Sequence, residues 1–260
     1  MDNELEEQWD NVAEDYQRVF TLGQNDYNRS LLQFLEKECG LRPGIRVIDV
    51  GCGVGKYGVY FAGMGCDVTL TDISPEMLRM AEKNMSKFDT PWTVYLADFA
   101  EITGNEEVFA KGFDLSISTM SPAICSLETV RKYSAMTHGI CFTARFYDWK
   151  QPFRDRMAEM VGAVVEPRMT GLKEDCQQLA EYVKEVGFEP SVKIVEYNWE
   201  DRRSPEEEIA YLFRHDFKDL PDTEAAKAKA EEAIKSLTED DGMVTDNVNT
   251  LVAWIYWKTE

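Results

Sequence analysis

Val47-Ile48-Asp49-Val50-Gly51-Cys52-Gly53-Val54-Gly55 is the stretch on which the reading of this chain turns. Its first half, from Arg46 to Val50, has the apolar character of a strand, and its second half carries glycine at alternate positions. Glycine lets the backbone bend sharply off a strand and lets a ligand approach without Cβ atoms in the way. Residues 56–64 then have a helical pattern, and the free N–H groups opening that helix favour a carboxylate or phosphate in the same space. Strand, glycine turn and helix together predict a ligand site.

Towards the N-terminus, Leu5, Trp9, Val12, Ala13, Tyr16 and Phe20 have the spacing of an amphipathic helix over residues 4–20. A second helix around Leu31, Leu32, Phe34 and Leu35 ends near Cys39-Gly40. Towards the C-terminus, Asp67 to Thr71 reads as a strand, and Ser74 as N-cap with Pro75 at the first helical position opens a helix to about Lys87. Strands at Trp92–Ala97, Phe113–Thr119 and Gly139–Phe146 follow, with a helix over 127–137 between the last two. A helix marked by Leu172, Cys176, Leu179, Val183 and Val186 stops at Gly187, before strands at Ser191–Tyr197 and Val248–Trp257. This alternation, with near-continuous apolar strands, implies a mostly parallel, doubly wound α/β sheet covered on both faces. Two stretches interrupt it, an irregular one over 148–171 and a helical one over 201–246 rich in Glu, Asp, Lys and Ala. Each is too short for a core of its own, so residues 1–260 read as one domain, with N-terminal helices over 1–40 and the two insertions as a cap.

Composition excludes several function classes. Among 260 residues, 48 acidic against 28 basic leave a net charge of −20, which repels phosphate backbones and anionic lipid. No nucleic-acid partner is expected, and no apolar run approaches the ~20 residues of a membrane helix. The acidic start, Met1 to Glu7, lacks the basic opening of a signal peptide. Six cysteines without a CxxC pair read as free thiols of a reducing compartment, with the cytoplasm as the expected address. Two histidines, His138 and His215, make a His-rich metal site improbable, and no metal is expected. Oligomeric state is not legible.

Two ligand classes compete for the turn. Gly53-Val54-Gly55-Lys56-Tyr57-Gly58 fits the G-x-G-x-x-G string of nicotinamide and flavin sites, but its first glycine lies three residues past the strand end at Val50. In the natural register, from Gly51, Lys56 stands where the third glycine belongs. Asp49 at the strand end would repel a diphosphate and suits a ligand bearing an amino group. Asp72, an acid ending the second strand, binds ribose hydroxyls in either case.

The run VIDVGCGVG, followed by VTLTDISPEMLRMAEKN and VYLADF, resembles the class I S-adenosylmethionine-dependent methyltransferases. The resemblance covers residues 5–146. It implies a Rossmann-like seven-stranded sheet of order 3-2-1-4-5-7-6 with an antiparallel last strand, and S-adenosylmethionine as cofactor. By the same resemblance Asp49, Gly51, Gly53 and Gly55 hold the methionine end, Asp72 the ribose and Ile73 the adenine face. Asp98 accepts from the adenine amino group with Phe99 beside the ring, and Met120 lines the sulfonium region. Tyr16, on a helix that often closes over the cofactor, is a further candidate contact. Plainer roles stand beside these: Asp98 as a helix N-cap, Phe99 and Met120 as core residues, and Tyr16 as packing.

A sulfonium methyl is already activated, so alignment suffices and a catalytic base is optional. Acceptor-facing residues should follow the fourth and fifth strands. After the fourth strand, Ser121-Pro122 keeps half of the family's amino-methylating signature, while Ala123 and Ile124 replace its proline and aromatic. After the fifth come Arg145, Phe146, Tyr147, Asp148 and Trp149, and the longer insertion, preceded by Trp199, adds Tyr211, Phe213, Arg214 and His215. Aromatics with an arginine suit a small organic acceptor bearing an anionic group or a flat ring. His215 is a candidate proton acceptor. The leading expectation is methyl transfer to a small molecule. The alternatives are a non-catalytic S-adenosylmethionine-binding module and an NAD-type oxidoreductase.

Overall fold

The computed structural model describes residues 3–21, 26–104, 106–165, 167, 169–217, 220 and 223–259. The chain divides into two compact units, one of Met1–Arg145, Glu174–Ile194 and Ala253–Glu260, the other of Phe146–Lys173 and Val195–Val252. In chain order the elements are α1 (Asn3–Thr21), α2 (Asp26–Glu38), β1 (Arg46–Val50), α3 (Lys56–Gly63), β2 (Asp67–Asp72), α4 (Pro75–Met85) and β3 (Trp92–Leu96). There follow β4 (Phe113–Thr119), α5 (Leu127–Ala135), β5 (Thr137–Lys150), α6 (Pro152–Val161), α7 (Leu172–Glu185) and β6 (Ser191–Glu196). The last are β7 (Trp199–Arg203), α8 (Pro205–His215), α9 (Thr223–Lys235) and β8 (Val244–Lys258).

The sheet of the first unit has the order β3-β2-β1-β4-β5-β8-β6. With β8 as the seventh long strand, this is the order expected from the sequence. The pairs β1–β2, β1–β4, β2–β3 and β4–β5 are all parallel. Central strands are sealed on both faces: Val47, Ile48, Val68, Leu70, Leu115 and Ile117 are all fully buried. The register sets Asp49 beside Leu70 and Ile117, and Asp72 beside Leu96. Asp49 and Asp72, and Asp98 just after β3, therefore stand at one edge of the sheet. Helix α4 begins as the sequence predicts, with the Ser74 hydroxyl accepting from the Met77 amide at 3.0 Å and Pro75 at the first position.

The second unit corrects three expectations. The stretch 148–171 is not irregular throughout, because α6 lies in it, stopped by Gly162 in the left-handed conformation. Nor do the insertions lack a core. Met157, Ala158 and Val161 of α6 are buried with Ile209 and Leu212 of α8, Ala230, Ala233 and Ile234 of α9, and Val244. Each insertion alone is too short to close a core; pooled, they close one. Residues 199–203, partly read as helical, form β7, which pairs antiparallel with the start of β8 from Trp199↔Val248 to Arg203↔Val244. Arg154 pairs with Asp216 at 2.6 Å and Arg203 with Glu208 at 2.7 Å, so each of these arginines has a carboxylate beside it. No described helix is long and apolar enough to cross a membrane.

Candidate functional site

The turn between β1 and α3 is held by its glycines in the left-handed region, with φ of 69° at Gly51, 52° at Gly53 and 77° at Gly55. A Cβ added at Gly51 would lie 1.9 Å from Ser121 Oγ, so this glycine lets the loop after β4 come against the turn. At Gly53 the backbone amide donates to Asp72 Oδ2 at 2.8 Å, while Ser74 donates to Asp72 Oδ1 at 3.0 Å. The amides of Gly51 and Cys52 both donate to the Thr71 carbonyl, at 2.8 and 3.1 Å. These turn amides are thus spent inside the protein, and what the turn shares with the strand ends beside it is carboxylate.

Asp49 is 1% exposed, and neither of its carboxylate oxygens has a hydrogen-bond partner among the described residues. Burial, reinforced by the charge of Asp72, pushes its pKa up to about 8. Burial also raises Asp72, against the opposing amide bonds from Ser74, Gly53 and Ile73, and Asp10 raises it further. Two crowded, desolvated acids make this edge of the sheet hostile to a diphosphate and receptive to a cation. A ligand offering N–H donors and positive charge would satisfy the orphaned Asp49 oxygens. The α-ammonium group of S-adenosylmethionine meets that requirement, so the residues present fit this cofactor.

Helix α1 is fastened beside the site. Its Asp10 accepts from the Ser74 hydroxyl at 2.5 Å and from the Glu76 amide at 3.2 Å, and its Gln17 exchanges amide bonds with Asn84 at 3.2 and 2.9 Å. Ala13, with Trp9 and Val12, packs on Val54, Met77 and Met80. Asp10 and Gln17 were missed in the sequence; they lie seven residues apart, two helical turns, flanking the apolar stripe. Tyr16 sits on that stripe, 47% exposed, with its ring edge-on to Trp9 at 6.2 Å. Desolvation of its hydroxyl and the charge of Asp72 both raise its pKa.

Asp98 turns back on its own chain, with Oδ1 accepting from the Ala100 amide at 2.9 Å, so it closes a turn and caps no helix. Phe99 is 3% exposed and stands edge-on to Tyr133 at 6.1 Å. Ile73 is half-buried between Asp72 and Ser74. Met120 has φ 53°, the one positive value among described non-glycine residues, and its amide donates to the Ala144 carbonyl at 2.8 Å. Such strain at a strand end marks a constrained site. Lys56, opening α3, has its pKa lowered to about 8 by burial, its Nζ 5.5 Å from the Tyr57 ring centroid.

The acceptor candidates are split between the units. Ser121 and Arg145 belong to the first; Tyr147, Trp149, Tyr211, Arg214 and His215 belong to the second. In the second unit Trp149 stands edge-on to Phe146 at 4.9 Å and to Trp199 at 5.2 Å. Lys173 Nζ lies 6.0 Å from the Tyr147 ring centroid. Tyr211 packs under the Arg203 guanidinium at 4.2 Å and against His215 at 4.6 Å. Arg214 and His215 are exposed at the end of α8.

Residues 47–138 match the family model of methyltransferase domains. Among solved structures, the chain is similar to the magnesium protoporphyrin IX methyltransferase of Synechocystis PCC 6803 with bound SAH. That match has 18% identity and a TM-score of 0.55, over 75% of this chain and 93% of that one. It is similar to the precorrin 8w decarboxylase of Methanobacterium thermoautotrophicum at 17% identity and a TM-score of 0.52, over 90% of this chain and 91% of that one. It is also similar to the phosphoethanolamine N-methyltransferase 2 of Haemonchus contortus at 16% identity and a TM-score of 0.52, over 96% of this chain and 57% of that one. These structural likenesses speak for the fold, and the family match speaks for the segment that holds Asp49, the glycine turn, Asp72, Asp98 and Met120. Over residues 47–138 this chain therefore resembles methyltransferase domains.

Proposed function

We propose that this protein is an enzyme that transfers the methyl group of S-adenosylmethionine to a small-molecule acceptor. The observation that carries the reading is Asp49, a buried carboxylate with two unpartnered oxygens where a glycine turn leaves the sheet. When bound, the cofactor supplies a methyl group on a sulfonium whose leaving group is a neutral thioether. Asp49 takes the ammonium group and gives up the proton that burial makes it hold. Asp72 accepts the amides of Gly53, Ser74 and Ile73, and a carboxylate has about four acceptor positions, so capacity remains for a ribose hydroxyl. Ile73 and Phe99 offer apolar surface to an adenine and Asp98 a free oxygen to its amino group, while Tyr16 and α1 exclude water. Met120 and Ser121 fix the loop beside Gly51, on the side where an acceptor is to be aligned. With an activated methyl group, alignment and exclusion of water do the catalytic work, and no base is required.

For the acceptor, Ser121, Tyr147, Trp149, Tyr211 and Arg214 are proposed from their places in the sequence, and His215 as a proton acceptor. Titration with S-adenosylmethionine and with reduced nicotinamide dinucleotide separates the two ligand classes: saturable binding of the first alone is expected. Release of S-adenosylhomocysteine on adding amine, carboxylate and phosphate-bearing small molecules then separates an enzyme from a non-catalytic module. Binding without turnover across such a panel would favour the module.

A further inference from the structure

We propose that Arg145 recognises an anionic group, a carboxylate or a phosphate, on the methyl acceptor; the proposal rests on the methyl-transfer reading. Arg145 follows Ala144, the residue in register with Thr119 at the end of β4 and the acceptor of the Met120 amide. It thus stands at the same edge of the sheet as the strained Met120 and the loop against Gly51. Its Nη2 donates to the Ile124 carbonyl, which anchors one corner of the guanidinium. Its Nε is buried and has no acceptor, and no carboxylate among the described residues pairs with it.

The other sheltered arginines contrast with this. Arg154 has Asp216 at 2.6 Å, Arg203 has Glu208 at 2.7 Å and Arg46 has Asp67 at 3.4 Å. The charged or ionisable groups facing Arg145 are the Cys125 and Cys176 thiols and Asp175, an exposed residue in the first turn of α7. Burial pushes Cys176 up to about 11, so it is a neutral thiol at pH 7 and offsets no charge. A cation left unmatched in a chain with 48 carboxylates is costly unless an anion arrives from outside. Guanidinium presents paired N–H donors to a carboxylate or phosphate, which a lysine cannot do.

Thermal melting of the full chain in sodium phosphate and in sodium acetate, at ionic strength fixed with sodium chloride, tests this. Saturable stabilisation of the wild type is expected, lost in Arg145→Met and weakened at least tenfold in Arg145→Lys. The anion that acts at the lower concentration identifies phosphate or carboxylate as the group. Without added anion, Arg145→Met should melt at or above the wild-type temperature, because the unmatched charge is gone. A lower melting temperature there, or equal anion responses in wild type and Arg145→Met, would overturn the proposal and leave a structural tie to Ile124. S-adenosylhomocysteine should bind Arg145→Met within about twofold of wild type; selective loss there would assign Arg145 to the cofactor instead and overturn it too. Failure of the wild type to bind S-adenosylhomocysteine would defeat the methyl-transfer reading itself, a result distinguishable from all of these.

Discussion

Gly53 donates its backbone amide to the Asp72 carboxylate across 2.8 Å, joining the turn after β1 to the end of β2. One side chain thereby shapes the glycine turn and keeps acceptor capacity for a ligand. Asp72→Ala removes both roles. Charged hydrogen bonds are each worth about 1.5–3 kcal/mol, so affinity for S-adenosylhomocysteine should fall on the order of 100-fold while the far-ultraviolet circular dichroism is kept. An unchanged affinity would remove Asp72 from the site.

The approach of Ser121 to Gly51 gives a second prediction. Gly51→Ala meets both a positive φ of 69° and Ser121 Oγ at 1.9 Å, and should cost about 2–4 kcal/mol in chemical denaturation. Adding Ser121→Gly removes the collision and leaves the backbone strain. Partial recovery in the double variant is expected; full additivity would show that the two residues do not touch.

Asp49 makes stability depend on pH. Its folded pKa of about 8 stands above the ~3.9 of an unfolded aspartate. Between those values the native state holds one more proton than the unfolded chain, so stability falls as pH rises, by up to about 1.4 kcal/mol per unit. The ligand-free wild type should therefore lose stability between pH 5 and 8 relative to Asp49→Asn, and urea unfolding at several pH values measures the difference. A parallel pH profile in the two proteins would contradict it.

Much of this was legible because local signals and global fold agree. Apolar strands such as Val47–Val50 predict burial on both faces, and the Ser74-Pro75 start and the acids at three strand ends are local chemistry. What failed was non-local. Phe153, Met157 and Val161 recur every four residues, yet charged neighbours mask them, and the partners that bury them come from residues 209–244. The unmatched state of Arg145 is equally invisible in sequence, because a missing partner has no signature along the chain.

The clasp of α1 on α4 carries a fourth prediction. Asp10 satisfies the Ser74 hydroxyl and the Glu76 amide at once. Asp10→Ala should cost about 1–2 kcal/mol and raise amide exchange across α1 roughly tenfold, with α4 less affected because Ser74 still caps it. Equal loosening of both helices would show that Asp10 supports the unit as a whole.

The most direct test of the central claim is calorimetric titration of S-adenosylhomocysteine at pH 7 in two buffers of different ionisation enthalpy. If the buried, protonated Asp49 ionises to receive an ammonium group, binding is one-to-one and releases close to one proton. The affinity then rises by up to about tenfold per unit from pH 6 towards 8, and Asp49→Asn abolishes the release. No saturable binding, or binding of equal strength in Asp49→Asn with no proton released, would contradict the account.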